Sequence, residues 1–145
     1  MLTTVEEKTF AGLTTLEILA LDNNVLTSFH RLALAGTHQL SRLYLNDNKL
    51  KTLENNTLQY IESIAYIIDL SHNQWECTCN LQWLAKWVKG NEERMINLEK
   101  TTCLDPKTLP VMLESKCDPS NGANSVDEHS IWINVLGIVL GIVSV

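Results

Sequence analysis

The sequence predicts an α/β solenoid, in which short parallel strands stack along one side, irregular or helical segments form the convex side, and a disulfide-bonded cap closes the carboxyl end. Two observations carry this reading. The pattern Leu16-x-x-Leu19-x-Leu21-x-x-Asn24-x-Leu26 recurs as Leu40-x-x-Leu43-x-Leu45-x-x-Asn48-x-Leu50 and as Ala65-x-x-Ile68-x-Leu70-x-x-Asn73-x-Trp75, and self-similarity at a period of about 20 to 29 residues belongs to stacked strand repeats. Four cysteines, Cys77, Cys79, Cys103 and Cys117, all follow the last copy.

Within each copy the alternating Leu-x-Leu core reads as a short strand, because successive side chains on a strand point to opposite faces and the leucines take the inward one. The outward set is then Ile18, Ala20 and Asp22 in the first copy, Arg42, Tyr44 and Asn46 in the second, and Ile67, Asp69 and Ser71 in the third. Each repeat asparagine sits where the chain leaves the strand, and its amide can pair with backbone groups of successive turns that would otherwise be buried unsatisfied. Ala65 stands where the other copies have leucine, which predicts a looser layer. The intervening stretches 25–39 and 49–63 are long enough for a short helix or an irregular convex segment, with Phe10, Phe29 and Leu53 plugging the convex-side core. Aromatic residues at that depth are more often packing than a site.

After Trp75 the period stops. Residues 80–90 read as one amphipathic helix, with Asn80 as N-cap, Leu81, Leu84 and Val88 on one face, lysines near its end and Gly90 stopping it. Its expected task is to cover the apolar edge that the last repeat of any solenoid exposes. A Cys-x-Cys pair cannot readily bridge to itself, since its side chains point apart, so Cys77 and Cys79 each look to Cys103 or Cys117. Two such bridges imply an oxidising compartment. The spacing matches no usual zinc finger, and no metal is expected.

Residues 16–117 resemble the extracellular leucine-rich repeat superfamily. The run Asn73-Gln74-Trp75-Glu76-Cys77-Thr78-Cys79-Asn80-Leu81-Gln82-Trp83-Leu84 is similar to the opening of its cysteine-rich carboxyl-terminal flanking domain. The resemblance implies pairing of Cys77 with Cys103 and of Cys79 with Cys117. It also implies receptors, adhesion molecules, matrix proteins or channel auxiliary subunits, without choosing among them.

The expected organisation is 1–74 as amino-terminally incomplete repeats, 75–118 as the flanking cap, 119–130 as a polar linker, and 131–145 as a membrane segment or lipid-anchor signal. The amino terminus has neither the basic start nor the apolar run of a signal peptide, and no cap precedes the first repeat, so the sequence reads as the carboxyl-terminal piece of a longer protein. Ile131 to Val145 is an uncharged, predominantly apolar run of 15 residues, short of the ~20 that a helix needs to span hydrocarbon. It reads either as an interrupted transmembrane helix, whose Gly137 and Gly141 suit helix pairing, or as a glycosylphosphatidylinositol signal with attachment among the small residues Ser120 to Ser125. The lipid anchor is the preferred reading, and either one puts the repeats outside the cell.

The formal charge of −6 argues against nucleic acid, whose phosphates need a surplus of Lys and Arg. His30, His38, His72 and His129 are scattered, and His72, beside a repeat asparagine, reads as a turn residue. No catalytic constellation, phosphate loop or dinucleotide fingerprint is present. The expectation is a non-catalytic protein without a cofactor, a glycoprotein at the extracellular face of the plasma membrane that binds a protein ligand or cell-surface partner in adhesion or reception. The alternative is a truncated fragment of a Toll-like or other leucine-rich-repeat transmembrane receptor with no binding of its own. Asp22, Arg42, Tyr44, Asn46 and Asp69 are the candidate ligand-facing residues, with Arg42 and Tyr44 the sharpest because these types concentrate binding energy. The plainer reading is a solvated face with Arg42 paired to Asp22 or Asp69. Asn55-Asn56-Thr57 is an N-glycosylation acceptor on the convex side.

Overall fold

A computed structural model describes residues 1–105 and Thr108. Three strands, β2 (Ile18–Ala20), β4 (Arg42–Tyr44) and β5 (Ile67–Asp69), form a parallel sheet in the order β2-β4-β5. Each strand is a single alternation of the leucine pattern, and the register stacks Leu19 on Leu43 on Ile68. Those three are buried, together with Leu45, Leu50 and Leu70, in one continuous core. The layer of Ala65 is closed: Ala65 is as buried as its counterpart Leu40, and its N–H bonds the carbonyl of the buried Ile61 at 2.8 Å.

The convex side is irregular. It runs as successive turns in which an N–H bonds the carbonyl three residues back, as in Thr37 to Leu34, Thr57 to Glu54 and Ile61 to Leu58. Phe10, Phe29 and Leu53 are buried beneath these turns, as their phase predicts. A second, two-stranded parallel sheet of β1 (Thr4–Val5) and β3 (Ser28–Phe29) joins the stretch before the first repeat to that repeat on this side. Two-residue strands leave no periodicity to read, so the sequence did not announce it.

The repeat asparagines form a continuous ladder. The Asn48 amide donates to the carbonyls of Leu21 (2.9 Å), Leu45 (3.1 Å) and Asn46 (3.2 Å), and its oxygen accepts from Leu26 N–H at 2.9 Å. Asn73 repeats this one layer on, donating to Leu45, Leu70 and Ser71 and accepting from Leu50 N–H. Asn24 bonds Leu21 and Asp22 and accepts from Leu2 N–H. The residue before each asparagine, Asn23, Asp47 or His72, is left-handed with φ of 55°, 53° and 52°, a conformation that Asn, Asp and His tolerate better than most residues. His72 is thus a turn residue.

The cap begins with a single 3-10 turn, Cys79–Leu81, and continues as α1, Gln82–Lys89. Leu81, Leu84, Ala85 and Val88 are fully buried against the last repeat, in line with the amphipathic pattern. The ends of the helix differ from expectation. Asn80 lies inside the 3-10 turn, which Leu81 N–H closes on the Thr78 carbonyl at 2.9 Å, so Leu81 occupies the N-cap and no side chain caps the helix. Gly90 keeps right-handed geometry at φ −79°, and the Asn91 amide bonds the Trp87 carbonyl at 2.8 Å. Two further 3-10 turns, Glu92–Arg94 and Leu98–Lys100, lead the chain back along the sheet, where Met95 pairs with Ile68 and Cys103 with Trp75 in parallel bridges. The cap therefore serves as the next layer of the stack.

Candidate functional site

The register sets the outward side chains in rows across the concave face: Ile18, Arg42 and Ile67 in one, Ala20, Tyr44 and Asp69 in the next. Ile18 is 47% exposed, Arg42, Tyr44, Ile67, Asp22 and Asn46 are half-buried, and Ala20 is exposed. This is a mixed surface of aliphatic, aromatic and single cationic groups, the composition of interface cores. Asp22 and Asn46 face the turn side of these rows, where Asn23 donates to Asp22 at 2.8 Å and Asn46 to Asp47 at 2.7 Å.

Arg42 pairs with neither Asp22 nor Asp69. Its Nε donates to the phenol oxygen of Tyr66 at 3.1 Å, and its guanidinium carbon lies 5.6 Å from that ring's centroid. The hydrogen bond from Arg42 holds the Tyr66 phenol below its usual pKa and strengthens the proton's hold on Arg42. The neighbouring strand brings the Tyr66 phenol, at 52% exposure, within reach of Arg42, so this pair is accessible to a partner. Sequence reasoning passed over Tyr66 because it stands one residue before β5, yet it shares its phase with Ser41 and Glu17 in the earlier copies.

Asp69 and Ser71 are corrections. Both were expected to face outward, and both are buried, at 3% and 1% exposure. The cap folds over this end of the face: Asp69 accepts from Asn97 Nδ2 at 2.8 Å as well as from Ser71 N–H (3.0 Å) and Ser71 Oγ (2.6 Å). A carboxylate with three donors in a buried setting is satisfied internally and offers nothing to a ligand. Asp69 thus ties the cap to the sheet. On the opposite side, Trp83 Nε1 bonds the Leu53 carbonyl at 3.1 Å, and the fully buried Trp75 bonds the Leu70 carbonyl at 3.1 Å. Arg94 reaches the Glu62 carbonyl at the end of the second repeat's convex stretch.

Cys77 and Cys103 form a disulfide with Cα atoms 5.5 Å apart, within the ordinary span of such bridges. Cys79 is half-buried at the start of the cap, and Cys117, the partner expected for it, lies outside the described residues. So does the run 131–145; among the described residues no helix is long and apolar enough to cross a membrane. Among the described residues no group of three or more His, Cys, Asp or Glu gathers as a metal site would require. Asn55 is exposed on the convex side, at an open cleft of about 510 Å³ shared with Arg31, Thr52, Leu53, Glu54, Asn56 and Asn80.

Single-strand repeats, an asparagine ladder and a cross-linked lid together define a capped parallel-β solenoid. A family model described as leucine rich repeat matches residues 1–50 and again 15–74, and the chain belongs to the leucine-rich repeat family. It is similar to trophoblast glycoprotein of Macaca fascicularis, 31% identical over 117 residues that cover 75% of this chain and 28% of that protein. It is also similar to Homo sapiens chondroadherin, 34% identical over 92 residues, or 63% of this chain and 23% of the relative. Less than a third of either relative is therefore spanned. The crystal structure of human trophoblast glycoprotein, also called Wnt-activated inhibitory factor 1, superposes with a TM-score of 0.64 at 29% identity, covering 79% of this chain and 42% of that one.

Proposed function

We propose that this chain is a membrane-tethered extracellular recognition module that binds a protein ligand or cell-surface partner across its concave face, in adhesion or reception, without catalysis. The observation that carries the reading is the register, which gathers Ile18, Arg42, Tyr44 and Ile67 from three strands, with Tyr66 beside them, into one accessible surface. Arg and Tyr on a rigid sheet supply binding energy with little ordering cost. The Cys77–Cys103 bridge supports a location outside the cell, where disulfides persist. The name trophoblast glycoprotein, borne by one relative, agrees with that compartment. The tether, a glycosylphosphatidylinositol anchor in preference to a transmembrane helix, rests on the apolar run 131–145.

Surface labelling of cells expressing the full chain behind a cleavable secretion leader, with and without a phospholipase that cleaves glycolipid anchors, tests compartment and tether together. Release into the medium supports the lipid anchor, retention the helix, and no surface signal refutes the extracellular reading. Adhesion of these cells to a panel of untransfected cells, compared with cells displaying R42E/Y44A, tests the face. Adhesion that the double substitution leaves unchanged refutes its role.

A further inference from the structure

The convex cleft joins two parts of the protein that are far apart in sequence. One wall is the second repeat's turn, Thr52 to Asn56, and the other holds Asn80, the second residue of the cap. Arg31 and Glu54 face each other at its rim at 3.8 Å. Amides, a hydroxyl, a guanidinium and a carboxylate, set over the buried Leu53, make a lining suited to the hydroxyls of a sugar. The chain's single Asn-x-Ser/Thr triplet, Asn55-Asn56-Thr57, opens into this same cleft. The acceptor asparagine is exposed, whereas Thr57 is fully buried and donates its hydroxyl to the Glu54 carbonyl.

We propose that Asn55 carries an N-linked glycan whose first sugar seats in this cleft and bridges the second repeat to the start of the cap. This rests on the extracellular reading. In the transfer, the Asn55 amide nitrogen forms a bond to the anomeric carbon of an oligosaccharide carried on a polyisoprenyl pyrophosphate. The bond from that carbon to the pyrophosphate oxygen breaks, the lipid pyrophosphate leaves, and the amide proton goes to a base on the transferase. Because folding engages the Thr57 hydroxyl and buries it, an enzyme that must read that hydroxyl acts before the second repeat closes. The glycan leaves the concave face clear, since the cleft lies on the other side of the core.

The test is the full chain sent into the secretory pathway of a eukaryotic host by a cleavable leader and recovered from the cell surface in detergent, compared with Asn55→Gln, which loses the acceptor, and Thr57→Ser, which keeps it. Peptide mass mapping should find a glycan on Asn55 in the wild type and in T57S. Hydrogen exchange at residues 52–57 and 79–82 should be roughly fivefold slower with the glycan than in N55Q, the equivalent of one net hydrogen bond. Trimming the glycan to its first sugar should preserve that protection, and complete removal with an amidase should abolish it. A surface-recovered chain with Asn55 unmodified overturns the proposal, and so does a modified Asn55 with exchange at 79–82 unchanged. Free thiols at Cys77 and Cys103 in the same map would instead strike at the extracellular reading.

Discussion

Replacing Asn48 with alanine removes the central rung of the ladder that joins all three repeats. Four hydrogen bonds disappear at a residue with 6% exposure, but their losses are unequal. The carbonyls of Leu21 and Leu45 keep a second donor, from Asn24 at 3.1 Å and Asn73 at 3.0 Å respectively, and that of Asn46 keeps the Asn23 N–H at 3.2 Å. The Leu26 N–H has no substitute and no route to water, since Leu26 is fully buried. One orphaned buried donor costs about 1 to 3 kcal/mol, and the weakened sharing at three carbonyls adds about 1 more. The expected loss is about 2 to 4 kcal/mol, against about 5 to 15 for a whole domain. Asn24→Ala is the internal control: its oxygen serves the exposed Leu2 N–H, which water can satisfy, so it should cost under about 1 kcal/mol. Asn48→Asp keeps the acceptor for Leu26 and sets a carboxylate against three carbonyls, so at neutral pH it should be no better than alanine. Urea unfolding of the oxidised chain, followed by tryptophan fluorescence with the m-value held as a check, reads all three. The reasoning fails if N48A costs no more than N24A, or if N48D matches the wild type.

Breaking the cap's cross-link, by Cys77→Ser or by reductant, releases a loop with a sequence separation of 26 residues and should lower stability by about 3.5 kcal/mol on the chain-entropy model; an unmoved urea midpoint would contradict it. Asp69→Ala should cost about 2 to 4 kcal/mol by stranding its buried donors and should speed hydrogen exchange across 95–101, whereas a solvent-facing aspartate would stay within about 0.5 kcal/mol. Trp83→Phe, which loses only the indole bond to Leu53, should cost about 0.5 to 1.5 kcal/mol and loosen the cap without unfolding the repeats. In an alkaline absorbance titration one tyrosine should ionise below the usual value near 10, and Arg42→Met should abolish that early step. The sign follows from the depressed value: the ionised phenol is favoured in the folded state, so this stabilising contribution grows as pH rises through the folded pKa and is lost as pH falls.

The repeats and the inward leucines were legible because each depends on a pattern within about 25 residues, where strand alternation dictates which side chain turns inward. The role of the asparagines was legible for the same reason, since an amide at the end of a strand has few partners other than the turn carbonyls it meets. The apolar face of α1 could be read from helical spacing, but its start could not, because the turn at Cys79 belongs to the cross-linked corner and displaces Asn80 from the cap position. Arg42 and Tyr66 meet only through the pairing of β4 with β5. Asp69 and Ser71 repeat the outward phase of Tyr44 and Asn46, and nothing local distinguishes them. They are buried because Met95 docks beside Ile68 and carries Asn97 over the end of the face. The sequence by itself determined the stack and which residues line its core, since those follow from short-range periodicity. Only the tertiary structure decided where the accessible face ends, because that depends on a return of the cap chain whose distance in sequence obeys no repeat.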